Sequence, residues 1–297
     1  MTTGRGRGLA LLALLALVWG LFWPIMKITL VEMPIFTFRA GGTLLALAAM
    51  VAIARARGQS LYVPPGQRWP LVVAGLLNVG GWLYFSALAV SLMPAGRAAL
   101  IAYTMPVWAF LLAMPLLGER ATPGRLAGLV LGMAGIAVLA GDDLMRLGEF
   151  PLGALAMLAG AISFGCGASY QKSISWTVAP FAMIAWQFLV GAVPMIIGAV
   201  PELSQLKPYS WPTWGGFLYS SLVGQVIGLA IWFRVLAALP IRTASLSILA
   251  VPLVGVLSSA LMLGEPLGVT ELVAGALIAG AIVTVLPRGS EQPQRPL

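Results

Sequence analysis

The chain has 297 residues, of which 60% are hydrophobic and 9% charged, and its mean hydropathy is +0.97. A soluble domain carries roughly 25% charged residues, so composition argues against a soluble globular fold. The single cysteine, Cys166, excludes an intrachain disulfide, and the lack of any histidine removes the commonest general base and metal ligand.

Apolar runs of about 20 residues, the length a bilayer demands of a helix, follow one another with short gaps. Breaks at charges, prolines and glycines predict ten spans, at 9–30, 34–54, 70–90, 95–117 and 123–141, then 150–171, 180–199, 213–236, 241–262 and 268–286. The first span follows Arg5 and Arg7 and so has the look of a signal peptide. It is too long for that, carries Trp19, Trp23 and Lys27, and lacks a small-residue cleavage site.

On that first span Trp19, Trp23 and Lys27 are spaced i, i+4, i+8 and share one face. A cation beside two indoles could receive a carboxylate and an aromatic ring together; alternatively, Lys27 snorkels to the headgroups three residues from the span's end. Arg39, a turn into the second span, is expected to snorkel outward or to pair with Glu32. The third span puts Asn78, Trp82 and Phe85 on one face, and the eighth does the same with Gln225, Gly228 and Trp232. The amides either line a pocket or bond between helices. Tyr103 in the fourth span, Ser163, Ser169, Tyr170 and Gln171 in the sixth, and Ser245 and Ser247 in the ninth complete the polar inventory. Pro106 and Pro252 interrupt the fourth and ninth spans at matched positions, as gating hinges or as static kinks.

The match is part of a longer pattern. Pro94, Pro106 and Gly118-Glu119 recur as Pro240, Pro252 and Gly264-Glu265, displaced by 146, while Gly20 and Lys27 recur as Gly165 and Lys172, displaced by 145. The chain is therefore duplicated, into residues 1–143 and 144–287, with a disordered cytoplasmic tail at 288–297. Five spans per copy invert the second copy relative to the first. Twelve of the seventeen Lys and Arg residues then fall on one side, which puts both termini in the cytoplasm. Seven of the nine acids fall on the other side. The charge of +8 is thus topological, and no nucleic-acid partner is needed.

No carboxylate lies mid-span, which disfavours proton coupling through a buried acid, and no nucleophile has an evident base, so no enzyme is expected. No cofactor and no metal are expected either.

The aromatic-Gly pairs Trp19-Gly20 and Phe164-Gly165, the Pro followed twelve positions later by Gly-Glu in both halves, and the glycine-rich last spans (Leu126-Ala127-Gly128, Val273-Ala274-Gly275) resemble the EamA branch of the drug/metabolite transporter superfamily. The run Trp19-Gly20-Leu21-Phe22-Trp23-Pro24 is most similar to bacterial aromatic amino acid exporters of the YddG type. The resemblance implies an all-α integral membrane protein of ten transmembrane helices, two inverted five-helix repeats around a central cavity. It implies a multi-pass protein of the bacterial inner membrane that exports aromatic or other neutral amino acids by alternating access. Multidrug export of aromatic organic cations is the alternative, since tryptophans also bind cations. The expected substrate site is Trp19, Trp23, Lys27, Asn78, Trp82, Tyr103, Gln225 and Ser245, with Pro106 and Pro252 as hinges. The expected partners are a small amino-acid-like substrate and the lipid bilayer, with one chain as the working unit.

Overall fold

An apolar solvent leaves a backbone segment to satisfy its own hydrogen bonds, which favours helices over open strands. The computed structural model describes residues 2–117, 123–147, 151–238 and 250–285, and these are helical without a strand among them. In chain order they form α1 (Thr2–Glu32), α2 (Ile35–Ala56), α3 (Pro65–Leu92), α4 (Ala95–Leu117), α5 (Pro123–Leu147) and α6 (Leu152–Lys172). There follow α7 (Pro180–Ala199), α8 (Trp211–Leu218, Tyr219–Ile227 and Gly228–Ala238 in continuous succession), α9 (Ala250–Leu263) and α10 (Val269–Val285). Among the described residues, seven helical stretches are long and apolar enough to cross a membrane, and Leu126–Leu139, Ala250–Leu263 and Val269–Thr284 are shorter apolar helices.

Two boundaries differ from expectation for a simple reason. α1 begins upstream at Thr2, and α5 continues through Gly141, Asp142 and Asp143 to Leu147, where a loop was expected. Charge alone does not stop a helix. A missing N–H does, and no proline stands between Pro123 and Pro151.

The helices pack in pairs that exchange when the two halves are exchanged: α2 lies on α7 and α5 on α10, while α1 against α9 mirrors α6 against α4. Likewise α1 against α8 mirrors α6 against α3. One end of the bundle is held by carboxylates. The first N–H groups of a helix are orphaned and carry a partial positive charge, and the residues before α2 and α4 are Pro34 and Pro94, which offer no capping side chain. Other loops supply it. Glu202 accepts from Phe36 N at 3.2 Å and Thr37 N at 2.6 Å, and Glu265 accepts from Ala95 N at 2.7 Å and Gly96 N at 2.9 Å. Glu32 accepts from Ser210 N at 2.8 Å and Thr213 Oγ1 at 2.9 Å at the start of α8, and Glu271 from Gly268 N at 2.8 Å at the start of α10. Each such cap contributes about 1 kcal/mol. At the opposite end neutral groups do this work: Gln59 Oε1 accepts from Phe181 N at 3.1 Å, and Trp186 Nε1 donates to Leu61 O at 2.8 Å.

Candidate functional site

The i, i+4 spacing on α1 brings its indoles to a seam shared by both halves. Trp23 is buried, with its ring 6.4 Å from that of Trp82 and 6.1 Å from that of Phe22, both edge-on. Trp82 in turn lies 5.3 Å from Phe164 of α6. Tyr103 belongs to the same extended buried cluster as Trp23, and Trp19 and Trp82 pack against that cluster, with the ring of Trp19 6.1 Å from that of Trp232. Edge-to-face pairs of this kind contribute about 1 kcal/mol each beyond the area they bury.

One matched pair of these contacts joins the halves at duplicated positions. Phe164 meets Trp82, and at the duplicated positions Trp19 meets Gly228, where an added Cβ would fall on the indole nitrogen and 3.0 Å from its Cδ1. Two rings share the space in one copy. In the other a single indole fills it and the partner has shrunk to glycine.

Both expected amides lie on π-helical stretches, Asn78 within Leu76–Gly81 of α3 and Gln225 within Tyr219–Ile227 of α8. A π-helical turn takes an extra residue and leaves backbone groups short of partners, and such turns recur at functional sites. Here each is served by the first helix of the other half. Ser163 of α6 donates to Leu77 O at 2.8 Å, and Trp19 of α1 donates to Gly224 O at 3.0 Å. Asn78 Nδ2 also donates to Gln171 Oε1 at 2.8 Å and Gln187 Oε1 at 3.3 Å, with Gln187 Nε2 donating to Gln171 at 3.0 Å. Asn78 thus joins an amide cluster one turn below Trp82. Asn78 Oδ1 and Gln225 Oε1 are buried and unpartnered.

Several expectations are corrected. Lys27 is partly buried, and its Nζ donates to Val90 O at 2.6 Å and Met93 O at 3.0 Å, the carbonyls that end α3. Arg39 is 2% exposed, so it does not snorkel, and Glu32 is engaged by Ser210 and Thr213 rather than by Arg39. Arg97 lies in the first turn of α4 and forms a buried ion pair with Glu271 at 2.7 Å. α4 is interrupted at Tyr103-Thr104, between the helices Ala95–Ala102 and Met105–Leu117, in the turn that precedes Pro106 and whose Ala102 carbonyl Pro106 cannot serve. Pro106 is the second residue of the new helix, a position where no N–H is needed. Pro252 is buried at the third residue of α9 as described. Ser245, Gly118 and Glu119 lie outside the described residues.

Phe22, Phe164 and Ser86 join the site without having been singled out as contact residues. Their signal was spacing: Ser86 is one turn beyond Trp82, and Phe22 directly precedes Trp23. Two further apolar hollows, of about 520 and 260 Å³, open between α3 and α7. The larger is lined by Leu71, Trp186 and Val190 among others, and the smaller by Phe36, Gly80 and Tyr84 among others; both are separate from the aromatic seam.

Comparison with known proteins gives this seam a setting. The EamA-like transporter family matches the chain twice, over residues 6–141 and 151–286. An uncharacterized transporter of Bacillus subtilis (strain 168), YvbV, is 27% identical over 97% of this chain and 94% of its own length. A probable amino-acid metabolite efflux pump of Escherichia coli (strain K12) is 30% identical, with 92% of each chain covered. The aromatic amino acid exporter YddG of Ancylobacter novellus is 35% identical over a shorter stretch, 42% of this chain and 43% of that one. A solved crystal structure, 24% identical, superposes with a TM-score of 0.59 over 92% of this chain and 95% of its own, a likeness of fold. The repeated match, spanning nearly all of the described helices, settles the affiliation: the chain belongs to the EamA-like transporter family.

Proposed function

We propose that this transporter exports small metabolites, most readily aromatic and other neutral amino acids, across the bacterial inner membrane by alternating access. Ten membrane helices, in two inverted repeats at 1–143 and 144–287 with both termini cytoplasmic, are the architecture on which this reading rests. The observation that carries it is the aromatic seam itself. Trp82 lies between Trp23 and Phe164 where α6 crosses the π-helical stretch of α3, and Trp19 packs beside Trp232 where α1 crosses that of α8. Aromatic faces at such a crossing offer a ring-shaped apolar substrate a place between two elements that can move against each other. The relatives described as an amino-acid metabolite efflux pump and an aromatic amino acid exporter support the substrate class.

Counterflow in proteoliposomes with labelled amino acids and aromatic organic cations tests this. We expect saturable uptake of phenylalanine and tryptophan at least tenfold above empty vesicles and no uptake of the cations. Exchange of cations alone would replace the reading with multidrug export. Gln225→Ala should lower amino acid counterflow about tenfold while the protein still inserts, since a buried amide left facing substrate is worth about 1.5 kcal/mol. Unchanged flux would remove Gln225 from the site.

A further inference from the structure

Arg39 stands in the second turn of α2, wholly enclosed at 2% exposure. Its Nη2 donates to Ser86 Oγ at 2.8 Å and to Met26 Sδ at 2.9 Å, the latter a weak acceptor. Nε and Nη1, which carry three of the five N–H donors of a guanidinium, are buried and have no hydrogen-bond partner. The rings of Phe38 and Phe22, 4.8 and 5.9 Å from Cζ, are the other groups facing the charge. Ring faces attract a cation only modestly. Among the described residues no carboxylate is paired with it: Glu32 serves α8, Glu202 serves the start of α2, Glu265 serves the start of α4 and Glu271 pairs with Arg97. A buried charge without its counter-ion is expensive, and in a membrane protein such groups mark substrate pathways.

Its position supplies the second half of the argument. Ser86 is one turn beyond Trp82 on α3, and Met26 is one turn beyond Phe22 on α1, so the guanidinium sits about 5 Å along the helices from the aromatic seam. An α-amino acid separates its carboxylate from its ring by a comparable length. Lys27 spends its ammonium on the carbonyls of Val90 and Met93, and Arg97 is paired with Glu271.

We propose that Arg39 is the carboxylate receptor of the transport site, pairing with the substrate's carboxylate while the substrate's side chain lies against Trp23, Trp82 and Phe164. A planar guanidinium matches a carboxylate better than any other cation the chain could place there. The proposal rests on the amino acid reading above. It also explains why aromatic cations would be poor cargo: a fixed positive charge flanks the rings that would hold them.

The test uses the full-length protein in nanodiscs, with ligand binding read from the rise in thermal midpoint and from tryptophan fluorescence, beside counterflow in proteoliposomes. The probes are phenylalanine, phenylacetate (no amine) and phenethylamine (no carboxylate). The wild-type protein should bind the first two and not the third. Arg39→Gln should weaken both carboxylates by about 30-fold or more, and Arg39→Lys should restore part of the loss. Without ligand, Arg39→Gln should melt at the same temperature or higher, because it removes an uncompensated buried charge. A lower midpoint with normal binding would make Arg39 structural and overturn the proposal, as would equal binding of phenethylamine or an Arg39→Gln variant that binds carboxylates normally. If no amino acid exchanges through the wild-type protein, the transport reading fails by itself. The phenylacetate shift still decides Arg39, since its absence from the wild-type protein overturns the receptor.

Discussion

Arg97 and Glu271 show what a buried pair means at the scale of single residues. Both are enclosed, at 7% and 6% exposure, and Arg97 Nε and Nη2 both reach Glu271 Oε1, at 2.8 and 2.7 Å. The other carboxylate oxygen accepts from Gly268 N. Removing one partner strands the other charge, which costs about 3–5 kcal/mol, while removing both does not. Glu271→Gln should therefore lower the melting temperature in nanodiscs, and so should Arg97→Met. The double variant should lose clearly less than the two single losses added; strict additivity would mean that the pair is uncoupled. The sequence located the charged residues of this face but not their partners. Lys27, Arg39 and Arg97 all sit within a turn or two of a span end, and sequence position gave them similar prospects. Only the packing separates a lysine that caps carbonyls, an arginine that is ion-paired and an arginine left with three unused donors.

Elements are set by their closest approaches, and here the duplicated glycines explain themselves. An added Cβ at Gly165 would stand 2.7 Å from Ala109 N and 2.7 Å from Met105 O, so α6 rests directly on the α4 backbone. At the equivalent Gly20 it would stand 2.6 Å from Val254 Cβ and 3.1 Å from Gly255 N, on α9. The Gly165 contacts are with backbone and cannot yield as a flexible side chain would, and at Gly20 the β-branched Val254 is nearly as stiff. Gly165→Ala should destabilise by about 1–3 kcal/mol through overpacking, seen as a drop of several degrees in the midpoint. Gly215→Ala, at a helical glycine with nothing within 4 Å of the added carbon, should leave it unchanged. Equal midpoints for both variants would deny the close crossing. This part was legible in the sequence, since a repeated aromatic-Gly pair marks a repeated helix crossing. The π-helical stretches were not. A π-turn changes the number of residues per turn without changing composition, so the apolar run of α3 reads the same with or without it.

At the scale of the whole molecule, the alternating-access reading predicts that the carboxylate-rich end acts as a latch between the halves. Glu265 of the second half holds the first turn of α4, while Lys27 holds the end of α3 on the other side of Pro94, so the α3–α4 corner is gripped from both sides. The grip is charge-assisted, with an anion on a helix N-terminus and a cation on a C-terminus, and only the Glu265 bonds cross between the halves. A secondary transporter needs such a contact to be only slightly stable, because a state held by more than a few kcal/mol would not be left. Glu265→Gln keeps the shape and one acceptor oxygen but removes the charge, which should weaken the grip by about 1.4 kcal/mol and raise the open population about tenfold. The readout is labelling by a bulky maleimide of a cysteine placed at Ala98, one turn inside the latch and fully buried in the closed form, in a Cys166→Ser background. Labelling should quicken about tenfold in Glu265→Gln and fall back toward the wild-type rate when a substrate favouring the closed form is added. If the rate is the same with and without the carboxylate, the end is held by packing alone, and the Gly-Glu repeat serves the fold rather than the transport cycle.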